Sequence, residues 1–183
     1  MAIRPVRIWG DPVLRERARD VTGSDDSLLQ LVADLFDTMQ AYNGVGLAAN
    51  QIGVAQRVLV LDAPLEDDRR EQRALVNPVL SGLEGAVNSE EGCLSIPGIY
   101  EDVRRARRLL VRAQDERGAP VELVAEGFLA RVIQHEADHL DGVLFVDRLS
   151  PLKRQFLRRS LDALARGELP EGYPPPAASG GVI

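Results

Sequence analysis

The chain has only two histidines, and they stand four residues apart in His135-Glu136-Ala137-Asp138-His139. Around them, residues 127–140 carry Phe128, Val132, His135 and His139 at three- and four-residue spacing, and Gly142 stops the pattern, which predicts a helix. Helical positions four apart lie ~40° apart around the axis, so both imidazoles project from one face and can reach one ion at ~2.0–2.1 Å. Glu136 falls about 100° away, beside the ion's open position, where a carboxylate can take a proton from water. Two histidines scattered at random in this composition would fall four apart with glutamate second roughly 0.08% of the time. The fold therefore has to bring this helix to a third ligand, because a catalytic metal site keeps three protein ligands and one open position.

Cys93 is the only cysteine, so no intrachain disulfide can form and stability must come from packing. A lone cysteine is either a buried inert residue or a thiolate ligand. Its setting, Glu90-Glu91-Gly92-Cys93-Leu94-Ser95-Ile96-Pro97, is a polar glycine-containing segment running into an apolar one, which lets backbone approach a ligand closely. Another glycine-containing segment, Gly44-Val45-Gly46-Leu47-Ala48-Ala49-Asn50-Gln51, is not a phosphate loop. It lacks the GxxxxGK[ST] spacing, and its helix precedes the glycines. Two readings stand: a glycine helix stop, or a close-approach backbone with Gln51 as an uncharged amide donor facing the metal.

Elsewhere, residues 24–43 space Leu28, Leu31, Leu35, Met39 and Tyr42 as one helix face, with Ser24 as N-cap, Asp25 and Asp26 at the positive end and Gly44 as stop. Residues 57–62 and 74–80 read as strands, Pro78 marking an edge or irregular end. Residues 103–126 read as a hairpin turning at Asp115, Glu116, Arg117 and Gly118. The run Arg104, Arg105, Arg107, Arg108 and Arg112 is read as a solvated face offset by Glu101, Asp102, Asp115 and Glu116. Residues 151–166 form a last helix, with proline in its first turn and Phe156, Leu157, Leu161 and Leu164 spaced along it. Strands followed by a helix, without regular alternation, point to a single α+β domain. Its short, mostly antiparallel strands pack around the central metal-binding helix, with a helix at the C-terminal end. That domain is expected over residues 1–168, and 169–183 as a disordered tail rich in proline and glycine.

A chain of 183 residues suits one domain that buries roughly 70% of its unfolded surface. With only 4% aromatic residues, its core must be mostly aliphatic. A net charge of −6 argues against general nucleic-acid binding through phosphates. No apolar run nears the ~20 residues that cross a bilayer, and Arg4, Pro5 and Arg7 interrupt any signal-peptide segment. The expected setting is cytoplasmic, without membrane contact.

Together the three unusual segments resemble the peptide deformylase family, bacterial hydrolases that remove the N-formyl group from new polypeptides. Gly44 to Gln51 is similar to the family's GxGLAAxQ motif, Glu91 to Ser95 to EGCLS, and Gln134 to His139 to QHExxH, in the same order. The resemblance runs from about Ile3 to Leu149. It implies that Cys93, His135 and His139 hold one divalent ion, Fe²⁺ in native enzymes, with Zn²⁺, Ni²⁺ or Co²⁺ as substitutes. It also implies that Glu136 carries the proton while Gln51 and the Leu94 N–H stabilise the oxyanion. Gly46 would pair with the extended substrate, and Val45, Phe128 and Val132, with Glu91 at the edge, would line the pocket for the formyl-methionine side chain. The implied partner is the nascent N-formylmethionyl polypeptide, placing the enzyme in N-terminal processing during protein biosynthesis. Residues 150–169 set Lys153, Arg154, Arg158, Arg159 and Arg166 against Asp162 and Glu168, so the last helix is a solvated basic face or a transient ribosome contact.

Two other readings use the same histidines. A zinc endopeptidase takes its third ligand from a downstream Glu or His, but no histidine follows His139, and Glu168 and Glu171 are the only later glutamates. A structural zinc site is closed by four Cys or His ligands, and the chain has one cysteine and two histidines.

Overall fold

In the computed structural model, which describes residues 2–65 and 69–173, the first helix, α1, spans Asp26–Ala41. Its cap is Asp25, whose side chain accepts the Leu28 N–H, and not the expected Ser24. Aspartate satisfies the open donor and also puts charge at the positive helix end. At the other end Asn43 takes the left-handed turn, at φ 56°, while the Gly44 N–H closes on the Met39 carbonyl. Glycine at 44 answers a different need, since a Cβ there would lie 3.1 Å from Leu94 Cδ1.

Strands β1 (Gly46–Ala48), β2 (Val58–Pro64), β3 (Arg70–Glu84), β4 (Val87–Cys93), β5 (Ile96–Arg105), β6 (Arg108–Gln114) and β7 (Pro120–Glu126) follow, then helix α2 (Gly127–Leu140) and helix α3 (Pro151–Ala165). Five strands form one sheet in the order β1-β2-β3-β6-β7, and β4 and β5 pair separately; every pairing is antiparallel. The alternation of β2 shows why the sheet is the middle layer. Val58 and Val60 pack with Leu28, Val32, Leu35 and Met39 of α1, while Leu59, Leu61 and Ala63 pack with Leu129, Ala130, Ile133 and Leu140 of α2. A third cluster joins Ile96, Ile99 and Val103 of β5 to Phe145 and to Leu161 and Leu164 of α3. Among the described residues, no helix is long and apolar enough to cross a membrane.

The α+β architecture and the helices at 127–140 and 151–166 follow the sequence pattern, while the strands differ in detail. Residues 74–80 belong to a strand running from Arg70 to Glu84. Pro78 does not end it, because the register shifts between Val76 and Val79 and Asn77 sits at φ 52°. The Asn77 amide there takes both backbone groups of Val21. The expected hairpin starts at Arg108; Val103 instead pairs with Ser89 across β4 and β5. Its turn forms as expected, with Asp115 Oδ1 accepting from the Arg117 and Ala119 N–H groups. Of the expected tail, residues 169–173 are held against the body of the molecule: Pro170 lies on Gly98 and the Tyr173 hydroxyl donates to the Leu94 carbonyl at 2.9 Å. Residues 174–183 lie outside the described residues.

Candidate active site

Three segments distant in sequence meet at α2. Cys93 at the end of β4, with His135 and His139 of α2, each offer a ligand atom within 4.8 Å of the others, and all three residues are buried. Cys93 Sγ lies 3.3 Å from His139 Nε2. His135 Nδ1 pairs with Glu91 Oε2 at 3.0 Å, which leaves Nε2 to face the cluster. That Nε2, His139 Nδ1 and Glu136 Oε2 are buried with no hydrogen-bond partner among the described residues, an arrangement that native interiors rarely leave unanswered. A thiolate and two imidazoles suit Fe²⁺, Zn²⁺, Ni²⁺ or Co²⁺, so the donor set fits a divalent ion of that series. Burial and the charge of His135 hold His139 well below the ordinary imidazole range. Burial opposes charge on His135 as well, but the neighbouring Cys93 sulfur and the Glu91 carboxylate outweigh it and raise that imidazole to about 10.

Behind His135 stands a buried chain of charge. Arg105 grips Glu91 with two bonds of 2.8 and 2.9 Å and reaches Asp138 at 2.5 Å, and Asp138 is also held by Arg148. Burial would raise the Glu91 carboxyl; the bonds from Arg105 and His135 instead hold it down at about 2. This corrects one expectation, that the arginine run is uniformly solvated. Glu91 has no exposed surface and spends its oxygens on Arg105 and His135, so it orients that histidine. Arg105 is only 3% exposed, unlike the solvated arginines around it. Its signal was parity, because Ile99, Val103 and Arg105 share the inward face of β5.

Glu136 is 1% exposed; burial first, then the charge of Glu91, raises its carboxyl to about 7, against the pull of His135 and Arg105. Gly46 makes room for it, since a Cβ at that position would lie 2.6 Å from Glu136 Oε1. Gln51 is fixed by the Ala48 N–H donating to its Oε1 at 2.9 Å. Its NH₂ is thereby turned to Cys93 Sγ, at 3.6 Å, and Ser95 Oγ, at 3.3 Å. Leu94 sits between those two partners. Val45 and Phe128 line a cleft of about 380 Å³, and Phe128 also borders a cavity of about 270 Å³ with Ser89 and Arg131. Val132 is fully buried within the core packed on the sheet. A three-donor set, a proton acceptor poised near neutrality and an uncharged amide donor together can hydrolyse a polarised carbonyl.

Residues 3–155 match the family described as polypeptide deformylase. The chain belongs to the polypeptide deformylase family. A peptide deformylase of Alkalilimnicola ehrlichii is 51% identical over 166 residues, covering 91% of this chain and 93% of that protein. A crystal structure of a peptide deformylase from Legionella pneumophila superposes with a TM-score of 0.82 at 48% identity, over 91% of this chain and 98% of that one. The deformylase from Thermus thermophilus gives 0.84 at 44% identity, over 91% and 99%. The chain is thus a hydrolase of the deformylase type, and the α+β fold is that of the deformylase structures. Deformylase membership also takes away the ground for an endopeptidase.

Proposed function

We propose that this chain hydrolyses the N-formyl group of the terminal formyl-methionine of newly made polypeptides, releasing formate, with one divalent ion held by Cys93, His135 and His139. The observation that carries the reading is the convergence of those three donors beside the buried Glu136 carboxylate. When bound, the ion supplies Lewis acidity, which brings the pKa of a water toward ~7 and polarises the formyl oxygen. Glu136 takes that water's proton and returns it to the departing amine. The Gln51 amide and the Leu94 N–H donate to the oxygen on which charge develops, where one such donor is worth about 3–4 kcal/mol. Gly46 lies on β1, an edge strand of its sheet, and an extended peptide can pair with its backbone. Val45 and Phe128 flank the formyl-methionine side chain.

The ion in this reading is Fe²⁺, with Zn²⁺, Ni²⁺ or Co²⁺ able to replace it, and the setting is the cytoplasm, where nascent chains emerge. Contact with the ribosome would run through α3, which exposes Leu152 and Phe156 among Arg154, Arg158 and Arg159. Charge reversal at Arg154 and Arg159 should then weaken salt-dependent co-sedimentation with ribosomes; undiminished co-sedimentation would leave α3 a solvated face. Deformylation itself is tested by formate release from formyl-Met-Ala-Ser against cleavage of an internal peptide bond. Formate without internal cleavage is the expected result, and internal cleavage without formate would overturn the reading.

A further inference from the structure

Beyond α3 the chain turns back toward the active site. The Glu168 N–H closes on the Ala163 carbonyl, and Gly167, at φ 82°, reverses the direction. Pro170 then lies so close to Gly98 that a Cβ there would stand 2.9 Å from Pro170 Cγ. A short turn follows, with Gly172 at φ 80° and the Tyr173 N–H donating to the Pro170 carbonyl at 3.2 Å. Tyr173 ends on two sides of the site at once. Its ring meets that of Tyr42, just past α1, with centroids 6.0 Å apart and planes tilted by 55°. Its hydroxyl donates to the carbonyl of Leu94, the residue between Cys93 and Ser95. Burial pushes the phenol above its usual range, so it stays a donor.

Between this segment and the start of β5 lies a pocket of about 230 Å³, lined by Cys93, Leu94, Pro97, Tyr100, Pro170 and Tyr173, with Glu171 as its one carboxylate. Its wall is mostly apolar, and its inner end is a residue of the donor set. An extended chain spans ~3.3–3.6 Å per residue, so the residues that follow a formyl group held at that donor set are within reach of this pocket. We propose that residues 169–173 form one wall of the substrate cleft, anchored through Tyr173, and that the pocket they close beside Cys93 binds an apolar side chain downstream of the formylated residue. This rests on the deformylase reading. Tyr173 is here a positioning residue: it holds the wall and the Leu94 peptide, and touches no reacting atom.

The test compares the full chain, Tyr173→Phe, Tyr173→Ala and a chain ending at Glu168, on formyl-Met-Leu-Leu, formyl-Met-Ala-Ala and formyl-methionine amide. The full chain should show a lower KM for the Leu-Leu substrate than for Ala-Ala. Tyr173→Ala and the shortened chain should raise the Leu-Leu KM at least threefold, with a smaller change in kcat, and erase the preference. Tyr173→Phe, which keeps the ring on Tyr42, should retain most of it. Calorimetry with the product Met-Leu-Leu reads the same pocket without turnover, and there the same two variants should lose at least threefold in affinity. Equal affinity and an unchanged preference in Tyr173→Ala would overturn the proposal. Absence of formate release by the full chain would overturn the deformylase reading instead, and the calorimetry would still decide the pocket.

Discussion

At Gly46 the room for a reaction is made by leaving a side chain out. The backbone there is ordinary, so alanine is conformationally allowed, but its methyl would sit 2.6 Å from Glu136 Oε1 and 2.9 Å from its Cγ. Gly46→Ala should therefore displace the proton carrier, with kcat falling roughly tenfold or more, since a misplacement near 1 Å can cost about 100-fold. Metal content, measured by atomic emission, should stay unchanged. Cys93→Ser should do the opposite in the first instance, lowering metal content because a neutral hydroxyl replaces an anionic sulfur ligand; full occupancy and full turnover in that variant would remove Cys93 from the ligand set. The grouping of His135, Glu136 and His139 was legible from their spacing, whereas Cys93 and Gln51 were assigned only by the resemblance of their segments to the family's motifs. Arg105 was hidden inside a run of arginines, where only strand parity tells the buried member from its neighbours. Tyr173 could not be read at all, since its partner Leu94 is 79 positions away.

The helices were legible for the ordinary reason, an apolar stripe with a cap and a stop. Strands β4 and β5 were not, because the buried end of β4 is Glu91-Gly92-Cys93, whose burial serves ion pairs and ligands instead of an apolar face. The pairing between these elements makes a stability prediction. Arg105→Met strands the Glu91 carboxylate in the interior, and breaking a buried pair from one side costs about 3–5 kcal/mol. A melting temperature lowered by roughly 10 °C is expected for a chain of this size, with part of the loss recovered in the double variant Arg105→Met, Glu91→Gln. On α1, buried Asp34 ties down the N-terminal segment by accepting from the Ala2 N–H and from Arg4. Burial raises its carboxyl, but the bonds from Gln30, Arg4 and Ala2 outweigh this and leave it lowered. Its stabilisation is therefore fully present above the unfolded value, near 4, and lost as pH falls through the lower folded value. Asp34→Asn should be less stable than the parent at pH 7, and denaturant melts should show the gap closing only as the pH drops below about 4.

At the scale of the whole molecule the site lies where β4 and α2 meet, so an ion there joins them across 42 to 46 residues of sequence separation. Binding to the folded state alone stabilises by about 2.7 kcal/mol at one hundred times the dissociation constant. Stripping the metal with a chelator should accordingly lower the melting temperature by roughly 5–11 °C, and restoring Ni²⁺ or Zn²⁺ should bring it back; a melt indifferent to both would speak against the site. One more consequence belongs to the chain of charge that runs from Arg148 through Asp138, Arg105 and Glu91 to His135. Its inner members are sealed from water, while the Arg148 side chain is 44% exposed. An unbroken run of ion pairs and hydrogen bonds thus ties the innermost donor to the protein's surface.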